Sequence, residues 1–354
     1  GGVKTFDQSL FEGLPGVFND SLPDGWGRLL LDRFVRSQGV SPSLLTPLDR
    51  LALVGNGGLG ALVYRPEYEF PFSKGNLDLD CVASQVQEIL EGSFSEVVEQ
   101  LLALNGSSAG AQPKALINVS ENKERILHGK EPLIEGYEPW LVKFSNTEDG
   151  IDAGAIEYVY ALIAEQAGIL IPEAYLFPAL KGPGYFAVKR FDREGHTRLH
   201  MHTASGLLHA DFRYPSLDYQ DLLNLTFLLT RDIREVEKMY RLAVFNVLAH
   251  NRDDHAKNFS FLMDVHGQWR LSPAYDLTFS FGPGGEQSTM VMGEGRYPGE
   301  EHLINLGLDS KLSKNQIASI IDQTRTALSG WNTLASQYGV SAATISLIAK
   351  QIIQ

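Results

Sequence analysis

Cysteine is almost missing from this chain. Cys81 is the single thiol in 354 residues, which excludes an internal disulfide framework and fits a reducing, cytoplasmic setting. With no His or Asn pattern around it, Cys81 reads as a small buried hydrophobe rather than a nucleophile. Long apolar runs are missing too. None approaches the roughly 18 residues that a membrane span requires, and no signal peptide precedes the first patterned stretch, so no membrane association is expected. Positive charge is in deficit. Against 43 acidic residues stand 30 Lys and Arg, a net charge of −13, so direct nucleic-acid binding by this chain alone is not expected. Repeats and low-complexity tracts are absent. The chain opens on Gly1-Gly2, which reads as an expression remnant or a processed end. What is present is globular composition, 44% hydrophobic with 21% charged, at a length that buries a core in two or three subdomains.

The chemistry concentrates in Ala249-His250-Asn251-Arg252-Asp253-Asp254-His255-Ala256-Lys257-Asn258. Four residues separate the Asp253 carboxylate from the Asn258 carboxamide, and a second carboxylate follows in Pro273-Ala274-Tyr275-Asp276. Protein kinases use this order: one carboxylate orients an attacking hydroxyl and accepts its proton, while an amide oxygen and a later carboxylate hold magnesium against the phosphates. The bare spacing also occurs in ordinary polar loops, and the flanks give it weight. Val236, Met239, Tyr240, Ala243, Val244, Val247 and Leu248 recur at helical spacing, so a buried helix delivers the loop. The stretches 258–263 and 268–271 read as two short strands joined at His266-Gly267. Helix, polar loop, hairpin and then an acid is the layout of a kinase C-lobe.

The fuller pattern Asn251-x-Asp253-x-His255-x-Lys257-Asn258, with Tyr275-Asp276 downstream, resembles the HipA family of bacterial toxin serine/threonine kinases, usually encoded beside a DNA-binding antitoxin. The resemblance implies an α+β, bilobal protein-kinase-like fold, with a mixed α/β N-lobe and a mainly helical C-lobe. It divides the chain into a HipA-like N-terminal part (1–75), an N-lobe with phosphate loop and hinge (76–212) and a helical C-lobe with the catalytic loop (213–354). It also implies ATP and Mg2+ as cofactors, a HipB-like antitoxin as partner, and a protein substrate, by family an aminoacyl-tRNA synthetase. Asp253 would be the base, and Asn258 and Asp276 the magnesium ligands. His255 and Lys257 would brace the loop or stabilise transferred-phosphate charge. Phe18-Asn19-x-x-Leu22-Pro23-Asp24 is similar to a HipA segment that follows a small N-terminal β subdomain. That piece is expected either to have been trimmed or to be a separate chain.

Within 105–116, small residues let backbone N–H groups approach an anion, and Lys114 adds charge; alone, this reads equally as a flexible turn. HipA kinases carry a similar Ser-x-Ala-Gly-Ala-Gln-x-Lys phosphate loop, whose serine is self-phosphorylated. By that resemblance Ser107, Ser108, Ala109, Gly110, Ala111 and Gln112 contact ATP. Ser107, with Ser108 as its neighbour, is the candidate for inactivating autophosphorylation, since added negative charge opposes nucleotide phosphates. Lys143, in the strand 140–144, is the candidate for gripping the phosphates. Glu157, near the start of a helix patterned by Ile156, Val159, Tyr160, Ile163 and Ala164, is its candidate partner. The plainer alternatives are a snorkelling lysine and a glutamate serving a helix dipole. The strand 185–188 leads to Lys189-Arg190-Phe191-Asp192-Arg193, expected as the hinge at the adenine edge, with Lys189 and Phe191 as further ATP contacts. Lys189 departs from the acidic residue of some relatives.

Gly55-Asn56-Gly57-Gly58-Leu59-Gly60 fits G-x-G-x-x-G, but a dinucleotide site needs a helix next, and 61–64 reads as a strand. A glycine-rich turn between strands is expected instead. Asp24 reads as the N-cap of a helix through Phe34. One amphipathic helix is expected over 82–104, and two closing helices over about 313–336 and 341–353. His200, His202 and His209 fit no common zinc pattern. Two other functions compete with the kinase. One is a kinase-like binding module acting as co-repressor partner of an antitoxin, and the other a metal-dependent phosphoester hydrolase built on His250, Asp253, Asp254 and His255.

Overall fold

Every residue from Lys114 to Ser120 is buried, and this strand, β1, is an interior strand of an antiparallel sheet. The computed structural model describes residues 6–92, 97–105, 110–146 and 150–352. Two compact units emerge, residues 1–154 with 173–200 and residues 155–172 with 201–354. The change of unit near residue 200 precedes the expected division at 212/213, and the helix Ala153–Gln166 lies almost wholly in the second unit.

In the first unit, β1 joins β2 (Ile126–His128), β3 (Tyr137–Lys143), β4 (Ala174–Phe177) and β5 (Tyr185–Lys189) in the order β2-β1-β3-β5-β4. Apolar side chains of β1 and β3 (Ile117, Val119, Trp140 and Val142) pack in one core with Trp26, Leu30 and Phe34 of the helix Gly25–Ser37. Val86 and Ile89 of the helix Leu79–Leu90 and Leu101 of the helix Val97–Asn105 complete it. The single helix expected over 82–104 is therefore two, the first ending at Leu90 with Gly92 at φ +91° just beyond. Left-handed backbone of that kind ends a helix. Cys81 is exposed on the first of these helices, not buried.

Residues 61–64 form no strand, and a helix, Pro47–Val54, precedes the glycines in place of a strand. The glycine stretch itself is bound by arginine side chains. Arg198 donates to the carbonyls of Asn56, Gly58 and Gly60 at 3.0 Å each, and Arg193 to those of Gly58 and Gly60 at 3.0 Å. These guanidinium groups satisfy carbonyls of the glycine stretch in place of helix or sheet partners.

In the second unit, the helices Tyr219–Thr230 and Ile233–Leu248 are each capped by an aspartate, Asp218 and Asp232. Tyr160 packs edge-on against Phe245 and Trp331 in the interior. The closing region contains the helices Lys314–Leu328, Trp331–Gln337 and Ala342–Ile352. The expected helix 313–336 breaks at Ser329-Gly330, which turns the fully buried Trp331 inward, where its indole N–H donates to the Ile345 carbonyl at 3.2 Å. A further helix, Glu300–Asp309, escaped the sequence pattern.

His128 offers a stability test. Its ring stacks on Phe72 at 4.6 Å, Nδ1 accepts the Lys130 N–H at 3.0 Å, and burial, with Lys130 nearby, pushes its pKa from 6.5 down to about 4. A depressed histidine pKa contributes stability that is present above pH 6.5 and lost as pH falls through 4, at most about 3 kcal/mol. Urea unfolding followed between pH 7 and 4 should show that loss in the wild type and a flatter profile in His128→Gln. Parallel profiles would refute the assignment.

Candidate active site

The helix Ile233–Leu248 ends in a hydrogen-bonded C-cap that sets the direction of the loop. His250 N donates to the Val247 carbonyl at 3.3 Å and Asn251 N to the Asn246 carbonyl at 2.9 Å, with His250 left-handed at φ +54°. This is a Schellman closure in which histidine stands where glycine is usual. Its imidazole stacks on Phe279 at 5.4 Å and meets Phe281 edge-on at 6.0 Å. Burial, with Arg252 adding to it, holds the pKa near 4, so the ring is neutral at pH 7. From the neighbouring helix, the Tyr160 hydroxyl donates to the Ala249 carbonyl at 2.7 Å and pins the same turn.

Beyond the cap, Asp253 is exposed while its neighbours Asp254, Ala256 and Lys257 are buried. Burial of its surroundings raises the Asp253 pKa, His255 opposes that, and the charge of Asp276 adds to it. The two carboxylates expected to act together are thus electrostatic neighbours. The Asn258 carboxamide nitrogen donates to the Asp253 carbonyl at 2.8 Å, which turns its oxygen, the atom a magnesium ion would use, away from that bond. Asp276 is left-handed at φ +56°, a conformation that costs a non-glycine residue on the order of 1 kcal/mol and collects at functional sites. The preceding residue anchors it: the Tyr275 hydroxyl donates to the Lys257 carbonyl at 2.6 Å and lies 2.5 Å from Ser260 Oγ. Asp253 is thus joined to Asn258 by a hydrogen bond and to Asp276 by charge, and the three offer oxygen donors of the kind a hard cation takes.

His255 and Lys257 share a support that sequence reading missed. The Lys257 ammonium lies 4.4 Å from the centre of the Phe212 ring, and the His255 ring packs against the same Phe212 at 5.4 Å. Nothing in the pattern around Phe212 marked it. Asp254 turns into the core, where Oδ2 accepts from the Tyr219 hydroxyl at 2.6 Å and Gln287 Nε2 at 3.0 Å, and Oδ1 from the N–H groups of Ser288 at 3.0 Å and Thr289 at 3.2 Å. Burial nevertheless pushes its pKa up to about 7. With Asp254 so engaged and His250 stacked on Phe279 with Phe281 at its edge, the four residues of the hydrolase alternative do not converge as metal ligands.

In the first unit, Lys114 and Lys143 are direct partners across β1 and β3, and both side chains are buried. Cross-strand partners share a face, so Lys114 and Lys143 put positive charge on the same face of the sheet. Lys143 also lies 5.8 Å from the Phe186 ring centre. Gly110 sits close to the Lys114 ammonium in a left-handed conformation, and a side chain at 110 would collide with it. The Asp24 carboxylate accepts the Gly110 N–H rather than capping its own helix, and Trp26 N donates to the Gly110 carbonyl at 3.0 Å. Ala111 and Gln112 follow in the turn before β1, whereas Ser107, Ser108 and Ala109 lie outside the described residues.

Glu157 is buried in the second unit, and its pairing with Lys143 remains a proposal. Lys189 pairs with Glu138 across β3 and β5. Beside Phe191, the buried Asp192 accepts two bonds from Arg190 at 2.9 and 2.8 Å, one from Arg193 at 2.6 Å and the Gly60 N–H at 2.7 Å. Burial alone would raise its pKa, but Arg190 and Arg193 outweigh it and hold the carboxyl at about 2.

Two curated proteins of Sinorhizobium fredii, named "Putative kinase Y4dM" and "Putative kinase Y4mE", are similar at 27% identity over 279 residues and 26% over 288. Those matches take in 75% and 73% of this chain but 62% and 63% of the relatives, so the chain spans about three-fifths of their length. Among solved structures, a chain of the Shewanella oneidensis toxin–antitoxin complex of HipA, HipB and operator DNA superposes with a TM-score of 0.70 at 18% identity, over 96% of this chain and 83% of that one. A likeness at that identity shows the fold, which is thus the bilobal kinase-like one expected. The family model described as HipA-like C-terminal domain matches residues 106–331 and that of the HipA N-terminal domain matches residues 4–65; the chain belongs to the HipA family.

Proposed function

We propose that this protein is an ATP- and magnesium-dependent serine/threonine protein kinase acting as the toxin of a toxin–antitoxin pair. The observation that carries the reading is the assembly of Asp253, Asn258 and Asp276: an exposed carboxylate of raised pKa beside a second carboxylate, with an amide locked by its nitrogen so that its oxygen is free to face a cation. Asp253 accepts the proton of the attacking hydroxyl. Asn258 and Asp276 hold magnesium, whose role is to neutralise charge on the phosphates. Lys114 and Lys143, with the turn from Gly110 to Gln112, bind phosphate oxygens, and Ser107 or Ser108 is the autophosphorylation site. Lys189 and Phe191 belong to the adenine side of the same reading, and His255 and Lys257 steady the transferred phosphate. A HipB-like DNA-binding antitoxin is the partner and a protein hydroxyl the acceptor, with an aminoacyl-tRNA synthetase as the family's example. This gives an acidic chain a route to DNA through its partner.

Incubation with Mg-ATP should yield autophosphorylation or ATP turnover that Asp253→Ala lowers by about 100-fold or more, the usual contribution of a general base. A pure co-repressor module would show no difference between the two proteins. The pH profile gives an independent check. Asp253 works only when ionised, so activity is lost as pH falls through its pKa, and that acid limb should lie above the 3.8 of an ordinary aspartate. A profile flat down to pH 4 would remove Asp253 from the role of base.

A further inference from the structure

Asp254 stands next to the candidate base, yet its side chain runs the opposite way, into the interior of the second unit, where it is fully buried. Its four donors come from two distant parts of the chain: Tyr219 from the helix Tyr219–Thr230, and Gln287, Ser288 and Thr289 from the segment after Asp276. The same segment binds the backbone on both sides of Asp253. Arg252 O accepts from Ser288 N and Ser288 Oγ at 3.0 Å each, and Asp254 O accepts from Thr289 Oγ1 at 2.5 Å. Asn258 takes the carbonyl in the middle. Three successive carbonyls, 252 to 254, are thereby each held by a donor, and only the Asp253 side chain is left to project.

A directional relay leads into this point. Asn251 Nδ2 donates to Asn246 Oδ1 at 3.0 Å, Asn246 Nδ2 to the Tyr219 hydroxyl at 2.9 Å, and that hydroxyl to Asp254. Each donor in the chain points toward the carboxylate, so its orientation is fixed from the helix that precedes the loop as well as from the segment that follows.

We infer that Asp254 is a positioning residue for phosphoryl transfer, latching residues 287–289 onto the loop so that the Asp253 carboxylate is presented in one fixed orientation. The inference rests on the kinase reading of the same site. Backbone held this way preorganises the base, so loss of the latch should reduce turnover rather than nucleotide affinity. Asp254→Asn is the informative change, because an amide nitrogen on either side of the carboxyl faces two donors in place of an acceptor's partners.

The test measures Mg-ATP turnover of the full chain at a temperature well below its unfolding transition. For Asp254→Asn, kcat should drop about tenfold or more while the KM for ATP stays within about twofold. Adding Gln287→Glu to Asp254→Asn gives the new amide an acceptor and should recover a large part of the loss, with kcat referred to the folded fraction of each variant, measured by circular dichroism, so that a folding defect is kept out of the comparison. Tyr219→Phe, a milder change that keeps the fold if Asp254→Asn does not, should cut kcat by a few-fold with KM again unchanged. Wild-type kcat in both Asp254→Asn and Tyr219→Phe, alongside an inactive Asp253→Ala, would overturn the latch and leave the kinase reading standing. Full activity in Asp253→Ala, or no ATP turnover by the wild type, would take both down.

Discussion

One buried carboxylate organises the second unit's polar interior. Asp254 sits where water cannot reach it, and a charge or dipole in that position must be supplied with partners or it opposes folding. The chain supplies four, and to do so it must bring the helix beginning at Tyr219 and the segment 287–289 to the same point. Satisfying that single group therefore closes a long excursion of the chain, from Asp276 to Thr289, back onto the loop it left. Gly282 shows how close the closure is, since a side chain there would run into the Glu286 carbonyl and the Arg252 side chain.

Against this fixed interior, the outward residues can afford strain. His250 and Asp276 both hold left-handed backbone that glycine would adopt without cost. In each case surrounding bonds enforce the conformation: the helix C-cap and stacked phenylalanines at His250, and the Tyr275 anchor next to Asp276. Placing a cap on the last turn of a long buried helix means that the loop inherits the helix's rigidity rather than the freedom of a surface connection.

Much of the second unit was legible in the sequence because its signals are local. The apolar spacing from Val236 to Leu248 marked the helix, and His266-Gly267 marked the turn between the strands Ser260–Met263 and Trp269–Leu271. Asp253, Asn258 and Asp276 were singled out by spacing; the structure holds the Asn258 amide on the Asp253 backbone and makes Asp253 and Asp276 electrostatic neighbours. What could not be read were side-chain destinations that depend on distant partners. Asp254 entered the sequence reading only as one residue of the hydrolase alternative, and nothing near Tyr219 or Gln287 pointed to its buried role. Phe212 was silent for the same reason. Residues 61–64, Ala61-Leu62-Val63-Tyr64, looked like a strand because they are a short apolar run, but no ladder partner reaches them among the described residues, and the glycine stretch before them is held by Arg193 and Arg198 instead. The helices over 82–104 and 313–336 were over-extended because an apolar stripe continues across a break when both pieces pack on the same core.

That arginine clamp has a consequence for how the protein is made. The carbonyls of Asn56, Gly58 and Gly60 find their donors on side chains near residue 198. During synthesis the glycine stretch must wait for well over a hundred further residues to leave the ribosome before its backbone is satisfied. The clamped arrangement of the glycine stretch thus cannot form before those arginines have been synthesised, although the second unit's end is still to come at that point.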